Sequence, residues 1–132
     1  IGMSLTDEER QVMVEVEIER AEKILSQVET LRANALWDIL ANRLYYALYH
    51  AVISLLIKNR IQVGTHKGAV VMFSRKFVKT GIFSTEEGRV FSSLEQLRES
   101  GDYNCLIETT ETEIVPYIPK VTALIKKIKT LL

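Results

Sequence analysis

The 132-residue chain has one cysteine, two prolines, two histidines and no acidic residue between positions 39 and 85. Cys105 has no partner for an internal disulfide, which points to a reducing compartment, and zinc sites built on several thiolates are excluded. His50 and His66 leave little material for a metal cluster, so neither a metal nor a cofactor is expected. The N-terminus runs into Asp7, Glu8 and Glu9 without a preceding apolar stretch, and no secretory pattern is read there. The most apolar run, Leu44 to Ile57, is interrupted by His50 and Ser54 and falls short of the roughly 20 residues of a membrane span. Together these absences predict a cytoplasmic globular chain, a single domain over residues 1–132, able to withdraw roughly two-thirds of its unfolded surface from water.

Net charge is also missing, because 17 Lys and Arg balance 17 Asp and Glu. The balance is a cancellation between segments. Residues 1–38 carry nine acids and four bases, residues 39–85 carry seven bases alone, and residues 86–132 carry eight acids and six bases. A ligand bearing phosphates is therefore not excluded by neutrality.

What is present is helical periodicity. Val14, Ile18, Ala21, Leu25 and Val28 form one stripe behind a Thr6/Glu9 capping box, predicting a helix over about 6–32. A second, over 35–62, is apolar on almost every face, should be the central helix, and meets a stop at Gly64. Thr65 caps a third over 66–79 that Gly81 ends, and Ser84 with Glu87 caps a fourth over 85–100 that Ser100-Gly101 stops. The last runs over 111–131 behind a Thr110/Glu113 cap, with a bend near Pro116 because a proline removes a backbone donor. No segment alternates like a strand, so the expected fold is all-α, an up-and-down bundle of about five helices.

Polar residues inside the apolar helix are the informative ones. At about 100° per residue, His50 and Ser54 fall within about 20° of Arg43, Ala47 about 40° to one side and Tyr46 about 60° to the other. Arg43 and His50 thus share a face two turns apart, with small Ala47 leaving an opening and Tyr46 at its edge. The stripe reads as a pocket floor. It reads equally as a polar core network in which Arg43 is paired, with Asp102 as the candidate partner. Trp37, Tyr45 and Tyr49 read as core or dimer contacts rather than base-stacking platforms. His66, in an exposed connection, reads more readily as a surface residue than as a ligand.

The run Asn42-Arg-Leu-Tyr-Tyr-Ala-Leu-Tyr-His50-Ala-Val resembles the signature helix of the HEPN family, whose hallmark is Arg, four to six residues, then His; six stand between Arg43 and His50. Thr65-His-Lys-Gly68, Phe77-Val-Lys-Thr-Gly81 and Leu97-Arg-Glu-Ser-Gly-Asp-Tyr103 are similar in kind and order to its prokaryotic, nucleotidyltransferase-associated branch, and the likeness spans about residues 8–130. The resemblance implies a helical bundle, a homodimer with the Arg–His motif at its interface, and in many members metal-independent RNA cleavage as the toxin of a pair with a nucleotidyltransferase. It assigns His50 the acid–base role and Arg43 the phosphate-binding and charge-stabilising role; the helix-face reading adds Tyr46, Ser54 and Asp102 as supporting residues. One histidine per chain is one too few for a base and an acid, and a two-fold dimer would bring two His50 and two Arg43 together. Cleaving members often carry a polar residue directly after the motif arginine, where this chain has Leu44. Binding of RNA or nucleotide without cleavage therefore stays open, as does an interaction role within a nucleotidyltransferase pair.

The acid-free segment then gains a use. Lys58, Arg60, Thr65, His66, Lys67 and Lys79 are the candidate phosphate-binding residues: a positive funnel around the motif, with the N-terminus of the third helix offering backbone N–H groups. The bases on the third helix read alternatively as a solvated face balanced by acids of the first helix.

Overall fold

In a computed structural model, residues 4–103 and 108–132 are described, with side chains through Ser100 in the helix that ends at Tyr103. The elements are α1 (Asp7–Leu25), α2 (Val28–Ala33), α3 (Trp37–Lys58), α4 (His66–Phe73) continued by a π-helical turn (Ser74–Val78), α5 (Thr85–Tyr103), α6 (Glu111–Ile114) and α7 (Tyr117–Thr130). The molecule is an all-α bundle, with no strand among the described residues.

The expected caps form. Thr6 accepts from the Glu9 amide at 3.0 Å while Glu9 accepts from the Thr6 amide at 2.8 Å, and the Ser84/Glu87 and Thr110/Glu113 boxes repeat the pattern. The helix predicted over 6–32 breaks at Ser26-Gln27, where the Ser26 hydroxyl donates to the carbonyl of Lys23 and α2 starts afresh with Val28 buried. The helix predicted to 62 and a Gly64 stop ends earlier, at Lys58. Arg60 there takes a left-handed conformation (φ 60°) and the Ile61 amide donates back to the Leu56 carbonyl at 2.9 Å. Ala35 closes α2 in the same way, with φ 55° and a bond from the Leu36 amide to the Leu31 carbonyl. Ser100-Gly101 does not stop α5, which continues to Tyr103. The last expected helix is interrupted at Val115-Pro116, and Pro119 falls in the first turn of α7, where an amide has no intrahelical acceptor to lose.

Helix α3 is the axis of the molecule, packing against all six other α-helices. Leu40, Leu44, Tyr45, Leu48, Leu55 and Leu56 are fully buried along it. Its length and apolarity would suffice to cross a membrane, but 61% of its most apolar window is buried inside the bundle, as in the core helix of a soluble protein. Arg10 bonds to the Ile57 carbonyl and Glu17 to His50, so α1 and α3 run antiparallel along a shared seam. On the other side of α3, Phe91 of α5 stacks on Tyr45 with ring centroids 5.9 Å apart.

Candidate functional site

The α1–α3 seam positions His50. Nδ1 of His50 lies 2.5 Å from Oε2 of Glu17, with the two side chains only 20% and 17% exposed. The other oxygen of Glu17 receives Arg20 at 3.2 Å. A carboxylate only accepts, so the imidazole carries its Nδ1 proton toward Glu17, and in the neutral ring the lone pair lies on Nε2. This arrangement fixes the ring's tautomer and orientation, and stabilises the positive charge that appears when Nε2 takes up a proton.

One turn earlier on the same face lies Tyr46, which joins His50 to Arg43. The ring centroids of Tyr46 and His50 are 6.4 Å apart, and the guanidinium of Arg43 sits 5.7 Å from the Tyr46 centroid. Nε and Nη2 of Arg43 both donate to Oδ1 of Asn42, at 3.3 and 3.1 Å. Asn42 thus steadies a partly exposed cation whose remaining donors have no hydrogen-bond partner among the described residues. Leu44, by contrast, is fully buried in the core. The polar support expected after the motif arginine is supplied by the residue before it.

Other sequence-predicted residues are placed differently. Ser54 is fully buried and its hydroxyl is spent on the Ala51 carbonyl at 2.6 Å, so it does not line the site. Ala47 is fully buried as well. The side chain of Asp102 lies outside the described residues; the observed partner of Arg43 is Asn42.

His66 is not a surface residue in an exposed connection. It is half-buried as the first residue of α4, with its ring centroid 4.5 Å from that of Tyr49 and 5.7 Å from that of Tyr46. Its Nδ1 lies 2.7 Å from the hydroxyl of fully buried Tyr45. Burial, followed by the charge and hydrogen bond of Glu95, pushes the Tyr45 hydroxyl well above the usual phenol range, so it remains a proton donor. Glu95 is in turn paired with Arg98 at 3.3 Å, and that guanidinium lies 5.0 Å from the Tyr45 centroid. Burial works against the charge of Arg98, but the Glu95 carboxylate outweighs it and holds the pKa up. Burial and then the charge of Glu17 likewise push the Tyr49 hydroxyl up.

Two grooves hold some of the bases of the acid-free segment. One, of about 930 Å³, continues the seam past His50 and is lined by Ile53, Ile57, Arg10, Arg60 and the 61–64 segment that leads into His66. Arg10 was not singled out by sequence; its Nη1 holds the Ile57 carbonyl at 3.0 Å, while its buried Nε has no hydrogen-bond partner among the described residues. Arg60 is paired with Asp7 at 2.8 Å. A second groove, of about 380 Å³ between the π-helical turn and α5, holds Lys79 together with Arg75 and Arg89. Lys58 and Lys67 are exposed, and the Thr65 hydroxyl accepts the Gly68 amide at 2.8 Å, spending one N–H that the phosphate reading had left open. Of the acid-free segment's bases, Arg60 lines the first of these grooves and Arg75 and Lys79 the second.

Glu17 and Asn42 are the other residues that sequence reasoning missed. Glu17 follows Val14 by three and precedes Ala21 by four, so an acid stood on the core-facing stripe of α1 in plain sight. Asn42 adjoins the motif arginine, where its role depends on a side-chain rotamer.

Comparison with known proteins places the chain among relatives of similar length. A "UPF0332 protein" of Thermotoga maritima is 31% identical over 124 residues, covering 94% of each chain. "Putative toxin MJ0605" of Methanocaldococcus jannaschii is 30% identical over 122 residues, 92% of this chain and 87% of its own. "Putative toxin MJ0142" of the same organism is 31% identical over 96 residues, 73% of this chain and 65% of its own. Residues 14–131 match the HEPN domain, a span that contains Arg43, His50 and all of α3, and the chain belongs to the HEPN domain family.

Proposed function

We propose that this chain is a metal-independent endoribonuclease of the toxin type, cutting RNA in the cytoplasm at a homodimer cleft and paired with a nucleotidyltransferase. The observation that carries the reading is the His50–Glu17 contact at 2.5 Å beside an arginine steadied over Tyr46. Cleavage by a ribose 2′-hydroxyl needs a base at that oxygen and a cation for the charge developing on phosphorus oxygens. His50 Nε2 is the base and Arg43 the cation. The names of the two toxin relatives favour the same class. Val12, Met13 and Val16 leave an exposed apolar strip on α1 beside Glu17, a surface suited to a second copy.

The test is cleavage of single-stranded RNA in EDTA by the purified chain. Wild type is expected to cut, His50→Ala to lose at least about 100-fold, and Arg43→Ala to lose a comparable factor with the fold intact by circular dichroism. Cutting that persists in His50→Ala belongs to a contaminant and removes the assignment. Salt-dependent binding without fragments supports instead a non-catalytic nucleotide or RNA-binding module, the reading that buried Leu44 favours.

A further inference from the structure

We infer that His66 is the general acid that completes His50 within the same chain. The inference rests on the nuclease reading and changes where its second proton carrier comes from. Both imidazoles lie against the Tyr49 ring, with centroids 5.4 Å from it for His50 and 4.5 Å for His66, so they can be no farther apart than those two distances together. Both also flank Tyr46. The bound places the two rings on one patch of the molecule, around Tyr46 and Tyr49.

Each ring is anchored through Nδ1, and Nε2 of each has no hydrogen-bond partner among the described residues. The anchors differ in kind. Glu17 only accepts, which leaves His50 Nε2 with a lone pair to take a proton. The Tyr45 oxygen can accept from His66 Nδ1, its own proton facing Glu95, and in the imidazolium form of His66 the Nε2 proton is the one to be given. The base is held by a carboxylate and the acid by a phenol.

The step balances with no added reagent. His50 Nε2 takes the 2′-hydroxyl proton as that oxygen bonds to phosphorus. His66 Nε2 gives its proton to the 5′-oxygen as the bond from phosphorus to that oxygen breaks. The products are a 2′,3′-cyclic phosphate and a free 5′-hydroxyl. Arg43, across Tyr46, meets the phosphate oxygens. A dimer then joins two such sites without having to complete either.

The experiment compares an ordinary RNA oligonucleotide with one whose scissile linkage carries sulfur in place of the 5′-oxygen, a leaving group that needs no proton. His66→Ala is expected to lose about 10²–10⁴-fold on the ordinary linkage and to approach wild type on the sulfur linkage, while His50→Ala fails on both. His66→Gln, which keeps a hydrogen-bonding partner for Tyr45, guards against loss of fold and should behave like His66→Ala. Mixing His50→Ala with His66→Ala chains should restore nothing. Near-normal cutting of ordinary RNA by His66→Ala overturns the inference and leaves the nuclease reading with two His50 across a dimer. Equal loss on both linkages makes His66 structural and overturns it too, as does recovery on mixing. Wild type that cuts neither linkage removes the nuclease reading itself, and this inference falls with it.

Discussion

At the scale of single residues, the chemistry depends on what stands behind each side chain. His50 without Glu17 is a ring free to turn over and to hold its proton on either nitrogen. Glu17→Gln keeps the volume and removes the fixed acceptor. It is expected to lower the RNA cleavage rate constant by about 10–100-fold with little change in KM, measured in single-turnover reactions, because ring orientation and tautomer act on the chemical step. The same logic separates Asn42 from Leu44: polar support for a guanidinium is a matter of which neighbour's oxygen reaches Nε, and a sequence rule keyed to the following residue misses it.

At the scale of elements, two local features set how the helices meet. Ala35 occupies a left-handed conformation that costs a residue with a Cβ about 1–2 kcal/mol, against a smaller entropic penalty for glycine. Ala35→Gly is therefore expected to stabilise the protein by about 0.5–1 kcal/mol, read as a rise in urea midpoint at constant slope. Gly88 works by absence. A Cβ added there would meet Cγ2 of Val78 at 2.8 Å, and the β-branched valine has little freedom to move aside. Gly88→Ala should destabilise by about 1–3 kcal/mol in the same measurement, despite alanine's better helix propensity, because α5 can no longer seat against the π-helical turn. Capping boxes and apolar stripes made the helices legible in the sequence. The break at Ser26-Gln27 and the early end at Lys58 were not, since both are settled by hydrogen bonds from residues common inside helices.

At the scale of the whole molecule, the charge pattern resolves into grooves fed by several segments. Arg10 belongs to the acidic third by sequence, yet the antiparallel packing of α1 on α3 brings it beside Arg60 in the groove that extends from the His50 seam. Arg10→Gln is expected to weaken RNA binding and to flatten the slope of log affinity against log salt by about one, as loss of one phosphate contact should. Lys79→Gln, lining the other groove, serves as the comparison and should leave that slope as it is if RNA follows the seam.

The sequence by itself determined the all-α class, the central place of α3 and the shared face of Arg43 and His50, because periodicity, caps and residue spacing are local and survive any packing. Neutral overall charge hid a basic middle third, and counting by segment was enough to find it. Only the tertiary structure decided which acid holds His50, that His66 joins it around Tyr49, that Ser54 and Ala47 are sealed in the core, and that Arg60 lies in one groove while Arg75 and Lys79 line another. Those are contacts between residues far apart in the chain, fixed by how helices dock, and spacing along one helix carries no information about them.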